Sequence, residues 1–279
     1  MMNMNENSFE ISSTTGRRSD WMKVQVGPIL LITAREVETQ AIVHLVHNEF
    51  AHKPRRWFID DKTYYDLGMI GGRRIFLVQS EMGTNGPGGA LLTIHESINK
   101  LAPCAVVMVG IAFGMNPHRQ RIGDILVSQQ ILDYEMQRVE RTIDGQRRIL
   151  PRGPRPEASI WLLDRCRSGL IDWNGPKVHF GLILSGAKLI DNQSHRDLLL
   201  RFEPEAIGGD MEGAGLYAAA QRKRVDWILI KAISDWADGE KLQKKESAQK
   251  KAACNAARFT IHVIQQGGFA KEECTPQPQ

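Results

Sequence analysis

Residues 208–239 read GGDMEGAGLYAAAQRKRVDWILIKAISDWADG, and this stretch decides the fold. Its second half, Trp227-Ile-Leu-Ile-Lys-Ala-Ile233, is an apolar run of strand length, closed by Ser234 and Asp235. Its first half sets Asp210-Met211-Glu212-Gly213 ahead of the small-residue run Ala214–Ala220, which reads as a helix packed closely on something flat. Ligands of open α/β sheets bind at the carboxyl ends of strands, so Asp235 is placed for chemistry. Each acid alone has an ordinary explanation: Asp210 and Glu212 as first-turn residues favouring the helix dipole, Asp235 as an N-cap. Together they lie in the most apolar part of the chain, where an unpaired charge is costly, and the set reads as a site.

Outward from there, 279 residues with 42% hydrophobic and 24% charged content fit one large α/β domain or two small ones, and no composition shift marks a linker. A net charge of +4 suits anionic small molecules and does not demand nucleic acid. Cys104, Cys166, Cys254 and Cys274 are scattered, with no CxxC and no His at metal-ligand spacing. They read as free thiols of a reducing cytoplasm, and no metal or organic cofactor is expected. No run approaches membrane-spanning length, so no membrane partner is expected. Residues 1–23, rich in Asn, Ser and Thr, are expected to form a flexible leader, residues 24–265 the domain and 266–279 a tail.

Val24–Thr33 is the first predicted strand, and Arg35–Phe50 a helix with apolar residues at helical spacing and Glu38 near its start. Tyr64–Met69 and Arg74–Ser80, divided by Gly71-Gly72, predict a hairpin. Ser80–Gly89 (SEMGTNGPGG) is a glycine-rich turn before the helix Ala90–Lys100. Such a turn can hold an anion, yet it fits neither the Walker A nor the GxGxxG spacing, and a plain tight turn explains it as well. Strands follow at Ala105–Val109, Gly123–Ser128 and Lys177–Ser185, with a last helix over Lys245–Ile264. Between them, Arg138, Arg141, Arg147, Arg148, Arg152 and Arg155 form a basic excursion that is either solvated surface or a phosphate-facing loop. Strands and helices alternate throughout, which predicts an α/β fold.

The ordered set of Glu38, Ser80–Gly83, Gly110-Ile-Ala-Phe-Gly114, Gly123-Asp-Ile-Leu-Val-Ser128, Ser185-Gly186, Asp210-Met-Glu-Gly213 and Ala232-Ile-Ser-Asp235 resembles the nucleoside phosphorylase/nucleosidase superfamily, and within it the 5′-methylthioadenosine/S-adenosylhomocysteine nucleosidases. The resemblance implies a three-layer α/β/α sandwich with a mixed, partly barrel-like central sheet. It also implies cleavage of the bond between a purine and C1′ of its ribose. On that resemblance Asp235 donates a proton to the purine N7 with Ser234 holding it, Glu212 takes the ribose hydroxyls over Met211, and Glu38 polarises the attacking water. Gly83, Asp210 and Ile111 belong to the same pocket, Phe113 packs near the base, and the backbone at Leu189 and Ile190 binds it. Relatives are homodimers or higher homo-oligomers, and a small purine nucleoside or nucleotide is the expected partner.

Where purine phosphorylases carry an arginine two residues before the conserved glycine, this chain has Met108, which favours water over phosphate as the nucleophile. The sequence departs from the nucleosidases at Asp210 (usually Glu), Ile111 (usually a small hydroxyl residue) and Lys231 (usually Arg). Arg119, Arg121 and Lys188, with the basic excursion, are candidates to hold a 5′-phosphate, so the alternatives run from a 5′-thioadenosine to AMP or ATP. A phosphate-dependent phosphorylase and a non-catalytic nucleoside-binding module remain the other readings.

Overall fold

The structure is a computed structural model and describes residues 27–141, 144–145, 147–239 and 245–269. The expected leader and most of the expected tail lie outside the described residues. The first half of the chain runs β1 (Ile29–Thr33), α1 (Glu36–Phe50), β2 (Arg55–Ile59), β3 (Lys62–Ile70), β4 (Arg73–Gln79), α2 (Ala90–Leu101), β5 (Ala105–Gly114) and β6 (Ile125–Asp133). The second half runs β7 (Gln137–Arg141), β8 (Arg147–Pro151), α3 (Ile160–Ser168), β9 (Val178–Ser185), α4 (Gln193–Phe202), β10 (Ala206–Asp210), α5 (Gly213–Lys223), β11 (Asp226–Asp235) and α6 (Lys245–Gln265).

One mixed sheet holds nine strands in the order β10-β9-β6-β11-β5-β1-β4-β3-β2. A further antiparallel pairing of β10 with β5, Gly209 opposite Phe113, closes β5, β11, β6, β9 and β10 into a ring, which is the barrel-like part of the sheet. Helices α1 and α6 pack together on one side, while α2 and α5 pack together on the other. Layers on both faces explain why the central strands are continuously apolar instead of alternating: all five residues of β1 are buried, as are eight of the ten in β11 counted from its burial pattern. Strands β1, β5 and β11 run parallel, so their carboxyl ends share one edge of the sheet. That edge gathers the start of α1, the Ile111–Phe113 segment and Ser234-Asp235.

Several elements differ from the sequence expectation. β1 begins at Ile29, after Gly27 and Pro28, and β5 runs five residues past Val109 to Gly114, so the glycine-flanked motif lies inside a strand. The basic excursion holds an antiparallel ribbon, β7 with β8; Arg138 and Arg141 of β7 and Arg152 and Arg155 beyond β8 are exposed, in line with a solvated surface. Arg222 and Lys223 lie in the last turn of α5, and Arg224 is its left-handed cap at φ 56°. Strands β2 and β10 and helices α3 and α4 are additional. Among the described residues no helix is long and apolar enough to cross a membrane.

Candidate active site

A cavity of about 170 Å³ opens at the shared edge, lined among others by Arg35, Glu38, Phe113, Met211, Glu212 and Asp235. Ile111, Leu189, Ile190, Asp210, Ser234 and Lys188 also reach it. Residues separated by up to two hundred positions thus converge on one hollow.

Glu38 sits in the first turn of α1, just past the end of β1, and is buried. Its Oε2 accepts the backbone N–H of Ala34 at 2.8 Å and of Arg35 at 3.0 Å, and its Oε1 accepts that of Ile111 at 2.9 Å. A carboxylate offers about four acceptor sites, so the backbone fills three and leaves one, on Oε1, for a water or substrate proton. The carboxylate can come this close to β5 because residue 110 is glycine: any side chain there would overlap Glu38. Because the Ile111 contact is made by its main chain, the departure from a hydroxyl residue at that position does not disturb it. Burial pushes the Glu38 carboxyl above the usual glutamate range; Lys231 pulls it back and Glu212 adds to the rise.

Glu212 and Asp210 flank Met211 where β10 passes into α5. Glu212 is the residue before the first turn of α5, and its Oε1 accepts the N–H of Gly83 at 3.0 Å. Gly83 adopts φ 91°, and Thr84 Oγ1 donates to the Met211 carbonyl at 3.1 Å. The glycine-rich turn therefore does bind an anion, the protein's own Glu212, and Gly83 orients that carboxylate from behind without lining the cavity. Asp210 accepts the N–H of Gly213 at 3.1 Å, and burial raises its pKa against the opposing pull of Lys231.

Behind these acids lies a residue the sequence flagged only as a departure. Lys231 is fully buried in β11, with Nζ 3.2 Å from Glu212 and 3.5 Å from Asp210. Burial by itself would lower its pKa; Glu212, Glu38 and Asp210 together reverse that and raise it. The ammonium does not line the cavity. It partly neutralises three buried carboxylates, and the cluster keeps a formal excess of negative charge.

Asp235 ends β11 and is half-buried. Its Oδ2 lies 2.9 Å from Ser234 Oγ, which also lies 3.2 Å from the Ala112 carbonyl, and its Oδ1 accepts the N–H of Ala237 at 3.0 Å. The tip of the Phe113 ring presses against Gly209, where a side chain would collide with it. Leu189 is exposed and Ile190 buried, on the segment after β9. The cavity also takes in Met82, from the Ser80–Gly83 turn, and Gln249 of α6, which no sequence signal marked. Arg119 and Arg121 do not reach it: they line a separate hollow that shares no residue with this one. Lys188 does line it, 3.3 Å from Glu135. Among the described residues no group of three or more His, Cys, Asp or Glu is arranged to share a metal ion.

Residues 28–265 match the phosphorylase superfamily. The chain belongs to that superfamily. Among its relatives, a death domain-containing ATP nucleosidase of Amphimedon queenslandica is 30% identical over 216 residues, 69% of this chain and 40% of that protein. This chain therefore spans less than half the length of that relative. A 5′-methylthioadenosine/S-adenosylhomocysteine nucleosidase of Maridesulfovibrio salexigens is 28% identical over 206 residues, covering 72% of this chain and 86% of the other. Among solved superfamily structures, futalosine hydrolase of Helicobacter pylori superposes with a TM-score of 0.72 at 20% identity, over 87% of this chain and 99% of that one. The Colwellia psychrerythraea nucleosidase in complex with adenine gives 0.71 at 22%, over 87% and 96%. The fold is the one the resemblance implied.

Proposed function

We propose that this protein hydrolyses the N-glycosidic bond of an adenine nucleoside or nucleotide, releasing the base and a ribosyl product. The observation that carries this reading is the convergence of Glu38, Glu212 and Asp235 on one cavity, each held by backbone N–H donors. In the step that follows, C1′–N9 breaks while Asp235 passes its proton to N7 and the bonding pair leaves with the base. Water adds to C1′ and gives up a proton to the open acceptor site on Glu38. Glu212 takes the ribose hydroxyls over Met211, and the purine lies against Phe113 and the main chain at Leu189-Ile190. General acid catalysis of this kind contributes roughly 10²–10⁴-fold.

Charge supports water as the nucleophile. The acceptor site left open on Glu38 belongs to a carboxylate whose other contacts are backbone N–H groups, so a water with a proton to give fits beside it better than a phosphate dianion does. The names of the relatives, adenosine-type nucleosidases and an ATP nucleosidase, support adenine as the base.

Arg35 and Lys188 lining the cavity favour a substrate with an anionic 5′ group. Free base is measured by chromatography across methylthioadenosine, adenosine, AMP and ATP, with and without phosphate. Adenine release without added phosphate is expected; release only with phosphate makes the protein a phosphorylase, and binding without release makes it a non-catalytic module. Lys188→Ala should raise KM for AMP and ATP at least about 10-fold and leave adenosine nearly unchanged. Equal effects on both substrates remove Lys188 from the 5′ end.

A further inference from the structure

The two arginines that miss the catalytic cavity are part of a second, differently built hollow. Some 680 Å³ in volume, it is lined by Arg119, Arg121, Lys177, Lys251 and His118, with Asp124 as its one acid. Asp124 is already committed: its Oδ2 accepts the Arg121 backbone N–H at 3.0 Å and lies 2.9 Å from His179 Nε2. Among the described residues, none of the four Lys and Arg side chains has a carboxylate within ion-pair distance.

The positions of these cations are imposed by the fold. Gln120, buried between Arg119 and Arg121, accepts the N–H groups of Met115 and Asn116 and donates to the Ile207 carbonyl at 2.7 Å. Gly123 N–H and the Asp124 carbonyl bond to Ile233 of β11, and Asn255 of α6 donates to the Gly123 carbonyl. Gly123, at φ 96°, leaves room for the Lys251 stem to cross the loop. Three elements remote in sequence thus bring four cationic side chains around one concavity against a single lining carboxylate, Asp124, so positive charge is in excess there. Such an arrangement repels itself until an anion fills it.

We propose that this hollow is a second ligand site, separate from the catalytic cavity, and that it takes a polyphosphate chain, free or carried by a nucleotide. Two forked guanidinium groups and two lysines match several phosphate oxygens in a row better than one. The proposal does not depend on the catalytic reading.

Calorimetric titration of the whole protein tests it, with inorganic tripolyphosphate in one arm and cytidine triphosphate in the other. Saturable binding is expected in at least one arm. Equal affinities identify the chain alone as what is read, and tighter nucleotide binding identifies the carried form. The double variants Arg119→Glu/Arg121→Glu and Lys177→Glu/Lys251→Glu should each weaken binding at least about 10-fold, because each loses two charge-assisted hydrogen bonds. Both pairs are exposed, so unchanged thermal unfolding is expected, and one folded pair suffices. No binding in either arm, affinity within about 2-fold of wild type in a folded variant, or loss of binding on Lys188→Glu instead overturns the proposal. An oligonucleotide that binds where tripolyphosphate does not also overturns it.

Discussion

Lys231 Nζ lies 3.2 Å from Glu212 Oε2, and both side chains are buried. A buried ion pair is weak evidence for stability, but removing one partner leaves the other uncompensated at a cost of about 3–5 kcal/mol. Lys231→Met should therefore lower Tm by about 10 °C at pH 7. The loss should shrink as pH falls. Without the ammonium, the Glu38 and Asp210 carboxyls, already raised by burial, rise further. A carboxyl whose folded pKa exceeds its unfolded value keeps its proton longer in the native state, so stability falls as pH climbs between the two. Thermal unfolding of wild type and variant between pH 5 and pH 8 checks this, and a pH-independent difference would show that Lys231 acts by packing alone.

In the proposed reaction the Glu38 carboxyl, raised by burial, should set the acid limb of turnover. Below its pKa it carries a proton and cannot accept one from water, so kcat falls as pH drops through a value above the usual 4.5 of a glutamate. In Glu38→Gln that limb should vanish, with a residual rate at least about 10²-fold lower. A variant that keeps the limb assigns the ionisation to another group.

Gly110→Ala tests the same carboxylate without changing it. The added methyl overlaps Glu38 Oε1 and must push it off the Ile111 N–H. Displacement of a reacting group by a fraction of an ångström is expensive in rate, so kcat should fall about 10²-fold while KM for the same substrate moves little. A fall in KM-dependent binding alone would place Glu38 at the substrate rather than at the water.

How far the site was legible follows from what a sequence displays. An acid inside an apolar run stands out, so Asp210, Glu212 and Asp235 could be read directly. Lys231 also stands in an apolar run, yet its partners lie 19, 21 and 193 positions away, and nothing local says that they share one side of the sheet. Strand β10 was hidden by Gly208-Gly209, which weaken strand propensity; they are there because Phe113 and the β5 backbone press against them. Helices α3 and α4 are only nine and ten residues long, so each offers too few turns for its apolar spacing, Leu162, Leu163 and Cys166 in one and Leu199 in the other, to stand out. Arg119 and Arg121 were read as candidates for a 5′-phosphate, but their place was not legible: Gln120 and Gly123 anchor their loop away from the catalytic cavity.

In the proposed reaction Asp235 carries the part that the leaving group needs. Its two oxygens are held differently, Oδ2 beside the Ser234 hydroxyl and Oδ1 on the Ala237 N–H, so the side chain is oriented whether or not it is protonated. Asparagine at this position keeps an oxygen for the Ala237 N–H and turns its amide toward Ser234, whose hydroxyl can accept as well as donate. The fold should therefore survive with an unchanged Tm, while the acid is gone and turnover drops at least about 10²-fold. The loss should depend on the base: a purine analogue that departs without protonation should be cleaved by Asp235→Asn at nearly the wild-type rate. If the variant loses as much on that analogue as on adenosine, Asp235 acts on binding or geometry, and the proton comes from elsewhere.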